Sequence, residues 1–330
     1  MKIHQIYIEK EIQDLPLVES ILKKYPSIPT VIIDSYQEIF NRNKQNFRIQ
    51  KETPCLILAK KFGKFVHKIP DKFGLGFDEH YYFSTVLNCP FDCQYCFLQG
   101  LNKSSHYVIF VNHEDFKDAI KKVALENKEK SICFFSGYDG DSLALDSLSN
   151  FTTAFLPFFE TLENAKCEVR TKSIAIKPLL DLKTTKNTFV AYTLNPEEII
   201  ERDEKKTPRL HNRLDALKKL ALAGYSIALR FDPILLIEDF YEIYGRFFHT
   251  VFHELDPKTI HSATIGTFRM PKTVFQNFKK IDPINPLLAL LDEHEKEEFS
   301  YSPLAMSKAL DFAESHLKTY LDPSKIFKMQ

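Results

Sequence analysis

The sequence lacks an excess of charge of either sign. Its 330 residues contain 44 Lys and Arg against 44 Asp and Glu, so the formal net charge is zero. The overall charge therefore gives no attraction to nucleic acid, and a polyanion would have to bind at a local basic patch. Tryptophan is absent as well, beside 29 phenylalanines, but that absence excludes no class of fold.

Long apolar runs are missing too. No run reaches the roughly 18–20 residues that a membrane span needs, and the first residues lack the apolar stretch of a signal peptide. Hydrophobic residues at 44% and charged residues at 27% are ordinary for a folded soluble protein. Cysteine is scarce, at six residues, and this usage suits a reducing compartment. We therefore predict a cytoplasmic protein with no membrane partner.

Three of the cysteines stand alone in apolar surroundings. They are Cys55, Cys133 and Cys167, and we expect each to pack in the core.

The other three cysteines form the most specific feature of the chain. Cys89, Cys93 and Cys96 are spaced C-x3-C-x2-C, directly after the strand-like run 81–87, and Tyr95 stands beside the third. Three thiolates in a short loop can hold three irons of a 4Fe-4S cluster, which leaves one iron open to a small ligand. The motif therefore predicts a cluster with an open coordination position.

Two other uses of the three cysteines are open. A zinc ion would need a fourth ligand, and His80 or His106 is close enough in sequence to supply it. A disulfide with one spare thiol suits the sequence less, because nothing else in it is typical of a secreted protein.

At these residues the sequence resembles the radical S-adenosylmethionine (SAM) superfamily, whose signature is C-x3-C-x-aromatic-C. A narrower resemblance, from about residue 55 to 270, is to the spore photoproduct lyase family of DNA-repair enzymes. The segments that carry it are Asn88-Cys89-Pro, Tyr95-Cys96-Phe-Leu-Gln99, Asp141-x4-Asp146, Arg170-Thr-Lys172 and Thr193-x-Asn195.

The resemblance implies a reaction and its cofactors. SAM would bind the open iron of the 4Fe-4S cluster, and the reduced cluster would cleave it to a 5′-deoxyadenosyl radical that abstracts hydrogen from the substrate. The substrate expected from the family is a DNA lesion or a nucleotide, and the electron would come from a flavodoxin- or ferredoxin-type donor. The rival hypotheses are a radical enzyme with another substrate and a non-enzymatic iron–sulfur or zinc protein.

Strands and helices alternate through the middle of the chain. The predicted strands are 81–88, 131–137, 166–171, 187–194, 225–231 and 259–267. The predicted helices are 113–125, 145–162 with an interruption at Pro157, 209–223 and 238–255. Such alternation predicts parallel βαβ units and an α/β fold, and a count near six suggests a partial (β/α)6 barrel.

The remaining sequence predicts three regions. Residues 1–75 would form an N-terminal extension with strands at 30–34 and 55–59 and a helical stretch within 35–53, packed on a barrel of residues 76–270. Residues 271–330 would form a C-terminal appendage that is helical over 303–321. The extension is locally basic, at Lys60, Lys61, Lys64, Lys68 and Lys72, which predicts either a solvated face or a contact with substrate phosphate, including DNA.

Candidate cofactor-binding residues follow three of the predicted strands. Ser136 and Gly137 end the second strand, where the resemblance implies a contact with the amino group of SAM. Gly137 would let backbone approach a ligand closely, although a plain turn explains it equally well. Thr193 and Asn195 end the fourth strand and would bind ribose or carboxylate, or else cap the next helix.

The third strand carries three charged candidates. Glu168, Arg170 and Lys172 alternate onto one face and need partners or ligands there. A cofactor carboxylate and ribose would satisfy them, and the resemblance favours Lys172 for the carboxylate. A structural ion pair between Glu168 and Arg170 is the alternative.

Two residues depart from the family pattern. Tyr138 stands where the family has the cysteine that donates hydrogen to the product radical, and Phe97 replaces a tyrosine after the third cluster cysteine, whereas Tyr95 matches the other family tyrosine. We therefore expect radical generation with a different quenching residue. The hydrogen could come from Tyr138, from Cys133 or back from 5′-deoxyadenosine. We favour Tyr138 as the donor and expect Cys133 to be core.

Overall fold

The computed structural model describes residues 2–70, 74–182, 186–294 and 297–329. The strands are β1 (Ile6–Glu9), β2 (Thr30–Ile33), β3 (Leu56–Ala59), β4 (Val66–Lys68), β5 (Glu79–Phe83), β6 (Val86–Leu87), β7 (Asp92–Cys93), β8 (Tyr107–Phe110), β9 (Ile132–Ser136), β10 (Ala165–Thr171), β11 (Thr188–Thr193), β12 (Glu204–Lys205), β13 (Ser226–Ile234), β14 (Ile260–Thr267), β15 (Arg269–Pro271), β16 (Asp292–His294), β17 (Glu298–Ser300) and β18 (Ile326–Lys328). The α-helices are α1 (Pro16–Lys24), α2 (Gln37–Phe40), α3 (Phe47–Glu52), α4 (Leu98–Leu101), α5 (His113–Glu126), α6 (Asp146–Ser149), α7 (Phe151–Phe159), α8 (Lys177–Asp181), α9 (Glu197–Asp203), α10 (Leu210–Leu222), α11 (Phe240–Glu254), α12 (Lys272–Ile281) and α13 (Pro303–Leu317).

The larger sheet has the order β18-β14-β13-β11-β10-β9-β5-β4. The strands from β5 to β14 pair in parallel with their neighbours, β18 joins one edge in parallel, and β4 joins the other edge antiparallel. Each step between neighbouring parallel strands passes through at least one helix, because a parallel crossover needs a long connection. The predicted α/β alternation is confirmed.

Apolar side chains cover both faces of this sheet. All five residues of β9 are buried, as expected of a parallel strand with cover on each side. Phe134 belongs to the large cluster under the helices, whereas Cys133 and Phe135 face a smaller cluster with Phe189 and Ala228. Cys133 is therefore core, as predicted.

The second sheet has the order β2-β1-β3-β8-β6 and an apolar cluster of its own. Strands β2 and β3 confirm the two strands predicted before residue 75, and α2 and α3 lie within the stretch predicted to be helical. Strands β6 and β8 come from beyond residue 75 and complete the sheet. The region boundaries at residues 75 and 270 stay predictions.

Two predicted elements are wrong in detail. The single strand predicted at 81–88 is two strands, β5 and β6, which belong to different sheets. The helix predicted at 145–162 is two helices, α6 and α7, and the break lies at Asn150, whose φ of 50° is left-handed. Pro157 lies inside α7 instead of interrupting it, so the proline did not mark the break.

The C-terminal region contains more structure than the predicted appendage. Helix α12 and the small sheet β15-β17-β16 precede α13, and β18 then returns to the edge of the larger sheet. None of the helices in the described residues has the length and hydropathy that a membrane crossing requires.

Candidate active site

The cysteine loop follows β6, and all three of its cysteines line one cavity. Lys51 on α3 is buried and its Nζ donates to the carbonyls of Cys89, at 2.6 Å, and Phe91, at 2.7 Å. A lysine ammonium has three donors and is costly to bury unless its charge and its hydrogen bonds are compensated. The N-terminal sheet region therefore helps to fix the backbone around the first cysteine.

The second cysteine is held by a strand pair. Cys93 lies opposite Glu204 in the antiparallel pair β7–β12, and its carbonyl accepts from Gln99 Nε2 at 2.8 Å. Arg48 in turn donates to Gln99 Oε1 and to Asp92 Oδ1, each at 3.0 Å. These bonds tie the loop to α3 and to the segment after α9.

Helix α12 packs against α4, the short helix that follows the third cysteine. At Gly100 an added Cβ would lie 2.1 Å from the carbonyl oxygen of Val274, which is closer than atoms can approach. Asn277 Nδ2 also donates to the Gly100 carbonyl at 3.2 Å. Glycine is therefore needed at residue 100 for the C-terminal region to pack against the cysteine loop.

Burial governs the electrostatics of the three thiols. It raises the pKa of Cys93 to about 12, with Lys172 opposing it, and raises the pKa of Cys89 well above the usual value, with Lys51 opposing it. The pKa of Cys96 is raised by burial as well. Thiols buried together in one cavity would ionise only by binding a positively charged group, so this donor set fits an iron–sulfur cluster.

The zinc alternative is not supported by the two candidate histidines. His80 Nε2 accepts from Leu75 N at 2.8 Å, and His106 Nδ1 accepts from Cys55 N at 3.1 Å. Among the described residues no three Cys, His, Asp or Glu side chains converge on a point where one metal ion would bind. A cluster does not need three side chains that converge on one point, because its three thiolates bind separate irons.

Beside Cys93, the buried carboxylate of Glu204 gathers several candidate residues. Tyr95 Oη and Asn195 Nδ2 donate to Oε1, the latter at 2.9 Å, and Arg213 donates to Oε2. Glu204 and Arg213 have no exposed side-chain surface. Burial raises the pKa of Glu204, but Arg213 and Lys172 lower it by more, so the carboxylate is ionised.

Lys172 completes this group from the end of β10. Its Nζ lies 5.5 Å from the centre of the Tyr95 ring. Burial lowers its pKa, but Cys93 and Glu204 raise it by more, so the ammonium stays charged. The structure thus brings together Lys172, Asn195 and Tyr95, which were predicted separately.

The alternative role for the end of the fourth strand is wrong for Asn195. The residue before α9 is Pro196, and no side chain caps that helix. Asn195 is instead directed to Glu204, and the carbonyl of Thr193 accepts from Arg213 at 3.1 Å.

A second buried carboxylate, Glu168, lies further down the same strand as Lys172. Arg170 Nε donates to it at 2.8 Å, which is the ion pair considered as the structural alternative, and Arg230 donates to it at 2.6 Å. Arg230 is fully buried and also donates to Ser262 Oγ. Burial raises the pKa of Glu168, but the two guanidinium groups lower it by more. The cofactor contacts predicted for Glu168 and Arg170 stay predictions.

The turn after β9 is constrained by the chain itself. Gly137 has a φ of 82°, and an added Cβ would lie 2.6 Å from Ser142 Oγ and 3.0 Å from the Arg170 carbonyl oxygen. Ser136 Oγ donates to the Glu168 carbonyl at 2.8 Å and lies 2.8 Å from Ser142 Oγ. These contacts alone explain the glycine, and the predicted contact with the SAM amino group stays a prediction.

The two aspartates of the Asp141-x4-Asp146 motif organise backbone. Asp141 accepts from the Lys172 amide at 2.7 Å and from Thr171 Oγ1 at 2.6 Å, so it fixes the chain where Lys172 leaves β10. Asp146 accepts from the amide and hydroxyl of Thr152 at the start of α7.

Tyr138 follows this turn and is 47% exposed. Its ring lies 5.6 Å from that of Phe97, the neighbour of the third cysteine. Burial, and then Asp139, raises the pKa of Tyr138, so its phenol is protonated near neutral pH.

The lysines of the N-terminal region differ in their surroundings. Lys60 pairs with Glu11 at 3.7 Å and Lys68 with Glu79 at 2.7 Å. Lys64 is exposed. Lys72 lies outside the described residues.

Three charged residues of the site were not predicted from the sequence. Glu204 lies in the charged run 201–206, which is typical of a solvated surface, and Arg213 lies on a helix whose other periodic positions are leucines. Of the three, Arg230 could have been identified from the sequence, because a charged residue in the apolar strand β13 needs a buried partner.

The family model described as "Spore photoproduct lyase" matches residues 2–298. A spore photoproduct lyase from Bacillus subtilis is 24% identical over 340 residues, covering 97% of this chain and 96% of the relative. One from Clostridium acetobutylicum is 23% identical over 222 residues, covering 67% of this chain and 65% of the relative.

Solved structures agree in fold. A mutant spore photoproduct lyase with bound AdoMet and dinucleoside spore photoproduct superposes with a TM-score of 0.83 at 19% identity, covering 99% of this chain and 98% of that one. A spore photoproduct lyase complexed with dinucleoside spore photoproduct gives the same TM-score at 18% identity and the same coverage.

Proposed function

The chain belongs to the spore photoproduct lyase family, and we propose that it is a radical SAM iron–sulfur enzyme acting on a DNA lesion or a nucleotide. The observation that carries the proposal is the site itself. Three cysteines line one cavity, Cys93 buried and Cys89 and Cys96 partly buried, and Lys172, Asn195 and Tyr95 meet at Glu204 next to Cys93. In this proposal the parallel strands β5 to β14 are the partial (β/α)6 barrel of such enzymes.

Cys89, Cys93 and Cys96 would hold a 4Fe-4S cluster, and SAM would bind beside it. When bound, the cluster and SAM supply a 5′-deoxyadenosyl radical. The protein's own part is to hold the loop rigid through Lys51 and the β7–β12 pair, and to bury it under α12.

Lys172 is proposed to bind the SAM carboxylate. Its ammonium is charged and lies at the strand end next to Cys93, where Glu204 and Asp141 fix its surroundings. A charge-assisted hydrogen bond of this kind contributes roughly 1.5–3 kcal/mol. Thr193 and Asn195 at the end of β11, and the Ser136–Gly137 turn, are proposed as further contacts, together with Glu168 and Arg170 below them.

Tyr138 is proposed to quench the substrate radical. A hydrogen atom would pass from its Oη to the substrate carbon, and one electron from the external donor with one proton from solvent would restore the phenol. The exposure of Tyr138 and its contact with Phe97 support this role, whereas Cys133 is fully buried in the apolar cluster with Phe135.

The replacement of the family's hydrogen-donor cysteine by Tyr138 favours a second candidate function. A chain with Tyr138 and Phe97 in place of the family's cysteine and tyrosine need not repair the spore photoproduct, so a radical SAM enzyme with another substrate is the alternative. In either case we propose a cytoplasmic enzyme that takes its electron from a flavodoxin- or ferredoxin-type protein.

Anaerobic reconstitution with iron and sulfide tests the proposal. The reconstituted protein should show a broad visible absorption band that dithionite bleaches, and it should cleave SAM to 5′-deoxyadenosine. Adding ultraviolet-irradiated DNA should then give coupled product. SAM cleavage that no DNA or nucleotide ever couples to product would favour the second candidate, and a colourless protein would refute both.

A further inference from the structure

Two aromatic rings contact Tyr138, the residue proposed to give hydrogen to the substrate. The Phe97 ring lies 5.6 Å away at an angle of 58°, and the Tyr82 ring lies 4.3 Å away between ring centres at an angle of 28°. Phenylalanine has no hydrogen that it can exchange with a phenoxyl group, whereas Tyr82 has the same hydroxyl as Tyr138. Of these two neighbours, only Tyr82 can pass hydrogen to Tyr138.

The larger sheet holds Tyr82 in this position. Tyr82 lies on β5, opposite His67 of the antiparallel strand β4 and Phe135 of the parallel strand β9. The His67 ring also stacks on it, at 4.9 Å between ring centres and at an angle of 17°. Nearly parallel rings at such distances are in direct contact. The orientation of the Tyr82 ring is therefore set by the sheet and by two stacked neighbours.

Both phenols keep their hydrogen near neutral pH. Burial, and then Asp139 and Tyr138, raises the pKa of Tyr82 to about 12, and burial together with Asp139 raises the pKa of Tyr138. Tyr138 is 47% exposed and Tyr82 is half-buried. Water thus has access to the pair and can connect groups that do not bond directly.

We propose that Tyr82 is a relay residue that restores Tyr138 after its transfer of hydrogen to the substrate. Once Tyr138 has given its Oη hydrogen to the substrate carbon, its phenoxyl group takes one electron from the Tyr82 ring across the stack. One proton follows from the Tyr82 hydroxyl through the adjoining water. The O–H bond of Tyr138 forms and that of Tyr82 breaks, so the radical moves to Tyr82 without a change in net charge.

The relay separates the radical from the finished product. A phenoxyl group left at Tyr138 would stay next to the product and could take the hydrogen back, whereas one at Tyr82 lies a ring further away, on the strand next to the edge strand β4. There one electron from the external donor and one proton from solvent would restore the phenol. The inference rests on the proposed function, which makes Tyr138 the hydrogen donor, and it adds the residue at which reduction takes place.

The exchange between the two phenols is tested first without cluster or substrate. The full-length chain carries the substitution Tyr82→3-aminotyrosine, whose side chain is oxidised more easily than tyrosine and therefore traps a radical that reaches it. Pulse radiolysis with azide radicals oxidises exposed phenols such as Tyr138. The aminotyrosyl absorption should then rise in a second, slower phase whose rate does not depend on protein concentration. Adding Tyr138→Phe should abolish that phase.

The matched control is Tyr81→3-aminotyrosine. Tyr81 precedes Tyr82 on the same strand but points to the other face of the sheet, where its ring stacks on Phe134 at 5.7 Å. It should show no slow phase that depends on Tyr138. A slow phase at Tyr82 that survives Tyr138→Phe, or one of equal yield at Tyr81, would overturn the relay.

A second experiment follows the relay during turnover. The reconstituted Tyr82→3-aminotyrosine protein is reduced with one electron equivalent, so that no reductant remains to quench a radical, and is then mixed with SAM and ultraviolet-irradiated DNA. Electron paramagnetic resonance of samples frozen during the reaction should show the aminotyrosyl signal, and Tyr138→Phe should remove it. Product formed without that signal would overturn the relay and leave the proposed function standing. Absence of SAM cleavage or of product would count against the proposed function, whereas the radiolysis result would still decide whether Tyr82 and Tyr138 exchange hydrogen.

Discussion

Replacing Glu204 by Gln should destabilise the protein far more than an isosteric change usually does. Both carboxylate oxygens of Glu204 accept from donors: Tyr95 and Asn195 on one side and Arg213 on the other. Glutamine has one accepting oxygen, so its NH2 group would face a donor in either orientation. The fully buried Arg213 would also lose its countercharge.

The expected magnitude follows from the cost of breaking a buried pair. Removing one partner of such a pair costs about 3–5 kcal/mol, because the other charge is left buried without compensation. The measurement is the free energy of unfolding from urea titration of the protein without cluster. The control is Glu201→Gln, an exposed residue that pairs with Arg209 at the surface, where the loss should be at most about 1 kcal/mol.

A loss below about 1 kcal/mol for Glu204→Gln would show that the buried Arg213 does not depend on the Glu204 carboxylate. A second test is the double variant Glu204→Gln/Arg213→Met, which removes both buried charges. It should be more stable than Glu204→Gln alone, because an apolar pair has no uncompensated charge. Equal stability of the single and double variants would show that the uncompensated charge of Arg213 is not the cause of the loss.

Three further predictions concern the site. Lys172→Ala should leave cluster iron unchanged but weaken SAM binding about ten- to a hundredfold, and unchanged affinity by equilibrium dialysis would return Lys172 to a structural role. Gly100→Ala should lower the free energy of unfolding by about 1–3 kcal/mol through overpacking between α4 and α12. Gly245→Ala in α11, whose added Cβ would have its nearest neighbour at 3.8 Å, should instead be neutral or stabilising by about 0.5–1 kcal/mol; equal losses would contradict the packing argument. Tyr138→Phe should lower the yield of finished product per 5′-deoxyadenosine formed, whereas Cys133→Ala should affect stability more than that ratio. The reverse result would make Cys133 the donor.

Local patterns in the sequence predicted the parts of the fold that depend on neighbouring residues. The alternation of strands with helices could be predicted because apolar periodicity is set within each element. The short C-x3-C-x2-C loop was readable because its spacing alone brings the thiols together. The break at Asn150 was not, since a left-handed residue other than glycine leaves little trace in the sequence.

Long-range pairing accounts for what the sequence did not predict. Strands β5 and β6 are nearly continuous in sequence, but each pairs with a different sheet, and that choice depends on β9 and β8. Glu204 lies in a run of charges that resembles a solvated surface, and its burial follows from the β7–β12 pair and from Arg213. The partner of Arg230, Glu168, lies two strands away in the sheet.

Cys89, Cys93 and Cys96 alone are proposed to hold the cluster. The most direct measurement is the iron content of anaerobically reconstituted single Cys→Ala variants, compared with Cys55→Ala and Cys167→Ala as controls. Loss of any loop cysteine should strongly reduce bound iron and abolish SAM cleavage, because the loop contains no spare thiol, while both controls should stay near the wild type. Loss of iron in Cys167→Ala as complete as in Cys93→Ala would contradict the assignment.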